Sequence, residues 1–183
     1  WGVQAPGILT ADHILELNTT ASQTNMSGNG SLSTVSSTVF SVNYADGVGN
    51  ATGSGNYIFY AFAEIQGFSS IGSYVGNSST WGKFIHTGFR PALVMAKRYD
   101  SGSEDWNVFD ITRIGYNVSG NDKLYWNLSS SESTSGDEID FLANGFKWRS
   151  TNGGFNNNGG SYIYLAFAEQ PFVASNETPA VAR

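Results

Sequence analysis

Apolar and polar positions alternate along much of this chain with a period of two, in runs too short for helices of ordinary length. Two runs are denser than the rest: Tyr57-Ile58-Phe59-Tyr60-Ala61-Phe62-Ala63-Glu64 and Tyr162-Ile163-Tyr164-Leu165-Ala166-Phe167-Ala168-Glu169. Six of their eight positions are identical, and the copies lie 105 residues apart. Each is bulky, follows a Gly/Asn/Ser tract and ends on a glutamate. That pattern predicts a buried β-strand in both places.

The likeness continues outward more weakly. Ser37 to Val42 aligns with Ala143 to Trp148 at an offset of 106, and His13 to Thr19 with Asp122 to Leu128 at an offset of 109. Small insertions and deletions in loops between strands produce such drift. Residues 67–172 therefore read as one complete module and residues 1–66 as the C-terminal half of a preceding one, followed by a polar tail over 173–183. The chain opens on Trp1, as expected of a fragment or processed product of a longer protein.

Between the two octapeptides the pattern predicts strands over Ser70–Val75, Lys83–Thr87, Ala92–Lys97, Trp106–Ile111, Lys123–Leu128, Ile139–Leu142 and Gly145–Ser150. Ahead of the first copy it predicts Leu15–Asn18 and Thr38–Asn43, with a polar loop between them and a turn tract over 46–56. Ala92–Lys97 is nearly continuous in apolar residues, which predicts burial on both faces. In Trp106–Ile111, Trp106, Val108 and Asp110 alternate with Asn107, Phe109 and Ile111. Only the acid-rich stretch Ser131–Asp140 leaves room for a helical turn. Many short strands joined by Gly/Asn/Ser turns give an all-β chain of β-sandwich or jelly-roll-like modules, one complete and one partial copy of a repeat of about 105 residues.

Composition sharpens this. Aromatics reach 14%, which suits packed β-structure, and only 13% of residues are charged, too few for a disordered chain. The net charge of −6 and nine scattered basic residues argue against nucleic acid as a partner. The nearest approach to a basic cluster, Lys97-Arg98, points to opposite faces at strand spacing. With no cysteine there is no disulfide framework, thiolate nucleophile or thiolate zinc site. No apolar run is long enough for a membrane-spanning helix, and no membrane insertion is expected. Eight Asn-x-Ser/Thr sequons follow from the composition of a chain this rich in those residues.

Candidate chemistry is sparse. His13 and His86 stand in no metal-ligand spacing. Asp100, Glu104, Asp105 and Asp110 gather around one hairpin and read as a solvated loop rather than the carboxylate pair of a glycosidase. Asp137, Glu138 and Asp140 offer oxygens to a calcium ion without an EF-hand pattern. No nucleophile elbow, phosphate loop or dinucleotide fingerprint occurs, so no cofactor is implied. Glu64 and Glu169, with Tyr57 and Tyr162, mark equivalent points of the repeat. Duplicated placement favours a structural job for the glutamates, such as pairing with an arginine at a sheet edge. Trp81, in a Gly/Asn/Ser loop, is the residue most like a sugar-stacking platform, against the alternatives of covering a core edge or a subunit contact. Trp81, Asn77 and His86 are the candidate ligand-binding residues.

One longer resemblance is carried by Gly72-Ser73-Tyr74-Val75-Gly76-Asn77, Thr87-Gly88-Phe89-Arg90-Pro91-Ala92, Lys97-Arg98, the run Ile139 to Lys147, and Tyr162 to Phe172. These resemble a repeat module of bacteriophage tail-fibre-like virion proteins, in which such modules often follow a concanavalin-like domain. The resemblance implies a non-enzymatic structural or adhesion protein on the virion surface, presenting loops for host recognition. It further implies a homo-oligomer, for which a trimer is expected, with other virion proteins and a host-surface glycan as partners. The alternatives are a carbohydrate-binding module or glycan hydrolase with a jelly roll, and a purely architectural capsid-decoration or filament subunit.

Overall fold

The computed structural model describes residues 1–26, 32–36, 38–42, 56–115, 117, 119–120, 122–134, 136 and 138–170. Strands β1 (Gly2–Val3), β2 (His13–Glu16) and β3 (Thr24–Asn25) form a small antiparallel sheet, and β4 (Leu32–Val35) and β5 (Phe40–Val42) form a hairpin. The remaining elements are β6 (Ser69–Val75), β7 (Phe84–His86), β8 (Pro91–Arg98), β9 (Asn107–Asp110), α1 (Ile111–Ile114), β10 (Leu124–Tyr125), β11 (Ile139–Leu142), β12 (Gly145–Trp148), α2 (Gly153–Asn156) and β13 (Ser161–Ala168). They build a five-stranded sheet in the order β10-β9-β8-β13-β6 and a three-stranded sheet in the order β11-β12-β7. All named pairings are antiparallel. The chain is thus all-β and sandwich-like, as its pattern predicts.

The core between the two sheets is aromatic. Trp148 stacks on Phe155 at 4.6 Å between centroids and Tyr74 on Tyr162 at 5.0 Å. Phe109 and Phe146 meet Trp148 edge-on at 5.7 and 5.4 Å. Offset and edge-to-face pairs of this kind add to the stability that area burial alone supplies. Val94 and Ala96 of β8 face this core, whereas Met95 packs on the opposite side with Leu9, Leu15, Trp106 and Ile163. The expected two-sided burial of β8 therefore has a physical source: the N-terminal residues cover the second face of the five-stranded sheet. Trp106 fastens that cover by donating its indole N–H to the Glu16 carbonyl at 3.0 Å.

The structure departs from the sequence pattern in three places. The first octapeptide, 57–64, forms no strand, and all its residues are exposed. Its near-twin β13 lies between β6 and β8, bonded to both. The described residues supply that pair of neighbours once, and β13 occupies them. The helical turn lies at 111–114 rather than in the acid-rich stretch, because the Asp110 carboxylate caps it by accepting from the Arg113 N–H at 2.9 Å. A second turn, α2, is capped by Asn152, which accepts from Gly154 N–H at 2.8 Å. The polar loop after β2 holds β3 and β4. The turn tract over 46–55, the tail 173–183 and Asp137 lie outside the described residues. No helix among the described residues is long and apolar enough to cross a membrane.

Lys97 is buried on the face covered by the N-terminal residues. Its ammonium donates to the carbonyls of Thr20 at 3.3 Å and Arg98 at 2.8 Å. Burial pulls its pKa from 10.5 down to about 8, opposed by the charges of Glu104 and Asp105. Below about pH 8 the lysine is charged in both folded and unfolded chains, and the cost of burying it is present in full. Between about 8 and 10.5 the unfolded chain still holds a proton that the folded chain has released, so this group makes stability rise with pH. The hydroxyls of Tyr74, Tyr162 and Tyr164, held above 10.0 by burial, act in the opposite sense beyond that value. Urea unfolding at pH about 8 and about 10 should show wild type gaining stability relative to Lys97→Met across this interval. Parallel profiles for the two chains would refute the assignment.

Candidate functional site

The outer face of the three-stranded sheet collects exposed side chains that the alternation of β7 and β12 places there. Ile85, Phe146 and Trp148 take the core side, so Phe84, His86 and Lys147 point outward. Register sets Lys147 opposite Phe84 and Gly145 opposite His86. Phe84 and His86 touch edge-on at 6.4 Å. Gly145 is required beneath them, since a Cβ there would lie 2.9 Å from the Phe84 ring and collide with the Ile85 carbonyl.

Trp81 stands beside this face at 79% exposure. Its loop is short and held at many points. The Asn77 carboxamide oxygen accepts from Ser79 N–H at 3.2 Å, and the Ser79 hydroxyl accepts from Trp81 N–H at 3.1 Å. These are two consecutive side-chain turns. Asn156, fully buried in α2, anchors the loop from below. Its oxygen accepts from Asn77 N–H at 3.0 Å, while its amide donates to the carbonyls of Ser79 at 3.1 Å and Ser150 at 2.7 Å. Gly82 presses against the Trp148 carbonyl where no Cβ fits. The exposed indole therefore stands on a rigid base.

Two cations flank it. Lys147 Nζ lies over the Trp81 ring at 4.7 Å and the Arg149 guanidinium at 6.0 Å. Attraction to the ring quadrupole orders both side chains. Arg149 also binds Asp140 at 2.7 Å, which joins β11 to the same face. The arrangement offers a flat apolar ring, positive charge beside it, and a row of further aromatic groups. It suits the binding of a ligand with an apolar face and an anionic group.

Of the residues named from sequence, Trp81 and His86 share this surface, connected through Lys147 and Phe84 rather than by contact. Asn77 shapes the loop from its rim. Glu169 meets Arg90 at 3.8 Å, and Glu64 accepts from the Ser70 hydroxyl at 3.3 Å, so the two glutamates have different partners. Tyr162 is fully buried, donating to the Gly153 carbonyl at 2.6 Å, whereas Tyr57 is exposed. The proposed calcium ligands diverge: Glu138 pairs with Lys123 at 2.9 Å in the interior and Asp140 with Arg149 outside. No group of three potential metal ligands occurs among the described residues. Three of the four acidic hairpin residues are likewise spoken for, Asp100 by Arg98 at 2.7 Å, Asp105 by Asn127 at 2.8 Å and Asp110 by Arg113, whereas burial raises the carboxyl of the fourth, Glu104, above its ordinary pKa.

The profile of a family described as "Domain of unknown function (DUF7483)" matches residues 1–171. The chain belongs to the DUF7483 family. The matched span takes in both the N-terminal cover and the sandwich, so one DUF7483 unit includes both. Comparison with curated proteins and with solved structures gave no match.

Phe84, Lys147, Arg149 and Asn156 were not among the residues named from sequence. The first two were readable as outward positions, alternating with Ile85 and with Phe146 and Trp148. Asn156 sits in an Asn/Gly tract that signals only a turn. Asn156→Ala strips partners from three backbone groups, an expected cost of about 1–3 kcal/mol. It should also accelerate hydrogen exchange at the Asn77 N–H. Unchanged exchange there would refute its role as the loop's anchor.

Proposed function

We propose that this DUF7483 chain is a non-enzymatic recognition unit of a phage virion appendage, a tail fibre or related surface part. It binds a host-surface saccharide through Trp81. The single observation that carries this reading is a tryptophan both highly exposed and rigidly held, with Lys147 and Arg149 at its ring. Leaving a large ring in water forgoes the stability its burial would supply. A loop fixed by two side-chain turns and a buried asparagine holds that ring ready for a partner, so little ordering entropy is lost on binding. The cations favour a sugar carrying a carboxylate or another anionic substituent. Binding rather than catalysis is supported by the ion pairs that occupy Asp100, Asp110, Glu138 and Asp140.

The test is a glycan array probed with the intact chain, followed by titration of the best ligand. Acidic saccharides are expected to be retained, more weakly at high salt. Trp81→Ala should weaken binding by about 2 kcal/mol, roughly thirtyfold, as truncation of an aromatic hot spot does. Its thermal melt should move little, because the ring is exposed and only its two cation contacts are lost. Binding that survives the substitution would sink the reading, and so would an array on which the wild-type chain retains nothing.

A further inference from the structure

Among the described residues, two strand surfaces without a partner strand lie near one another. The first is 57–64, which matches residues 162–169, the run that spans most of β13, at six of eight positions yet pairs with no strand among the described residues, with Ile58 66% and Tyr60 70% exposed. The second is the outer edge of β6. Ser69 exchanges backbone bonds with Ile65 on the side away from β13, whereas Phe68 accepts from Ala168 on the β13 side. Backbone groups alternate along a strand, so those of Ile71, Ser73 and Val75 also face outward. Ser73 and Val75 are exposed. An open edge of this kind is a template for another strand.

We propose that residues 57–64 of one chain add as an antiparallel strand to the outer edge of β6 in a second copy. The inner edge of β6 already accepts a strand of this sequence, with Tyr162 opposite Tyr74, Tyr164 opposite Gly72 and Ala166 opposite Ser70. Carried across the 105-residue offset, that register sets Tyr57 opposite Tyr74, Phe59 opposite Gly72 and Ala61 opposite Ser70. Main-chain bonds supply the affinity in such strand additions, and alternate side chains supply the specificity.

The chain's own segment is held out of this register. Its turn pairs Ile65 with Ser69, and extending that pairing brings Tyr60 opposite Tyr74 and Phe62 opposite Gly72. That is three residues from the β13 register, and an odd shift turns every side chain to the other face. A second copy carries no such tether. Donor and acceptor are different surfaces, so the contact closes either by reciprocal exchange in a dimer or around a larger ring.

Light scattering on the full chain over a concentration series, with hydrogen exchange read at each point, tests this. The mass should rise from one chain to a multiple, and the Ile71 and Ser73 amides should lose their fast exchange as it does. Ile58→Lys with Tyr60→Lys disables the donor. Ser73→Pro disables the acceptor, at a position whose N–H β13 does not use. Each variant alone should stay monomeric, and mixing the two should restore a dimer through the one intact contact. If Ser73→Pro fails to fold, the donor variant and the exchange data decide alone. A chain monomeric at every concentration overturns the proposal. An oligomer indifferent to the donor variant, or one whose Ile71 and Ser73 amides still exchange freely, does so too.

Discussion

Everything in this molecule depends on one strand lying between two that precede it by long stretches of chain. β13 bonds β6 on one side and β8 on the other, and it fixes which side chains face which layer. Tyr162, Tyr164, Ala166 and Ala168 point into the aromatic core, and Ile163 points toward the N-terminal cover. Among the described residues, β6 has no neighbouring strand without β13, and β8 is left with β9 alone. The two hydrophobic layers are therefore not independent. Each is built on one face of the same strand.

The site inherits its rigidity from that core. β12 alternates anchor and display: Phe146 and Trp148 are fully buried, and Lys147 between them reaches the Trp81 ring. Buried polar groups complete the support. Lys123 and Glu138 form an interior ion pair at 2.9 Å, with the ammonium 5.3 Å from the Phe155 ring centroid. Burial raises the Glu138 carboxyl above its ordinary pKa against the pull of the lysine. Such a pair adds little net stability but is costly to break on one side. Together with Asn156 it ties irregular chain to the aromatic cluster.

Much of the sandwich was legible because its strands carry their burial in their own sequence. Ile139–Leu142 is found where the pattern set it, and β8 declared its two covered faces by a nearly unbroken apolar run. The first octapeptide was misread for an instructive reason. Its pattern reports what the segment can bury, whereas a strand also needs partners, and pairing is a property of the sheet. Trp81 stood out as an aromatic residue in a polar loop. Its cationic neighbours did not, because Lys147 and Arg149 lie more than sixty residues away and only the β7–β12 register brings them near. Asn156 left no sign, since an asparagine's three hydrogen bonds depend on backbone groups whose positions only the fold supplies.

The place of β13 in the sheet has a further consequence for how the chain folds. Its middle strand is later in sequence than both strands that flank it, so the five-stranded sheet cannot grow outward one strand at a time. β6 must wait for residues 161–168, as must the second side of β8, and contacts that span so much chain form slowly. Synthesis delivers residues 57–64 first, bearing five of the eight side chains that the gap between β6 and β8 is shaped to receive. Each nascent chain thus carries an early imitation of its own keystone, and finishing the fold means exchanging the imitation for the original.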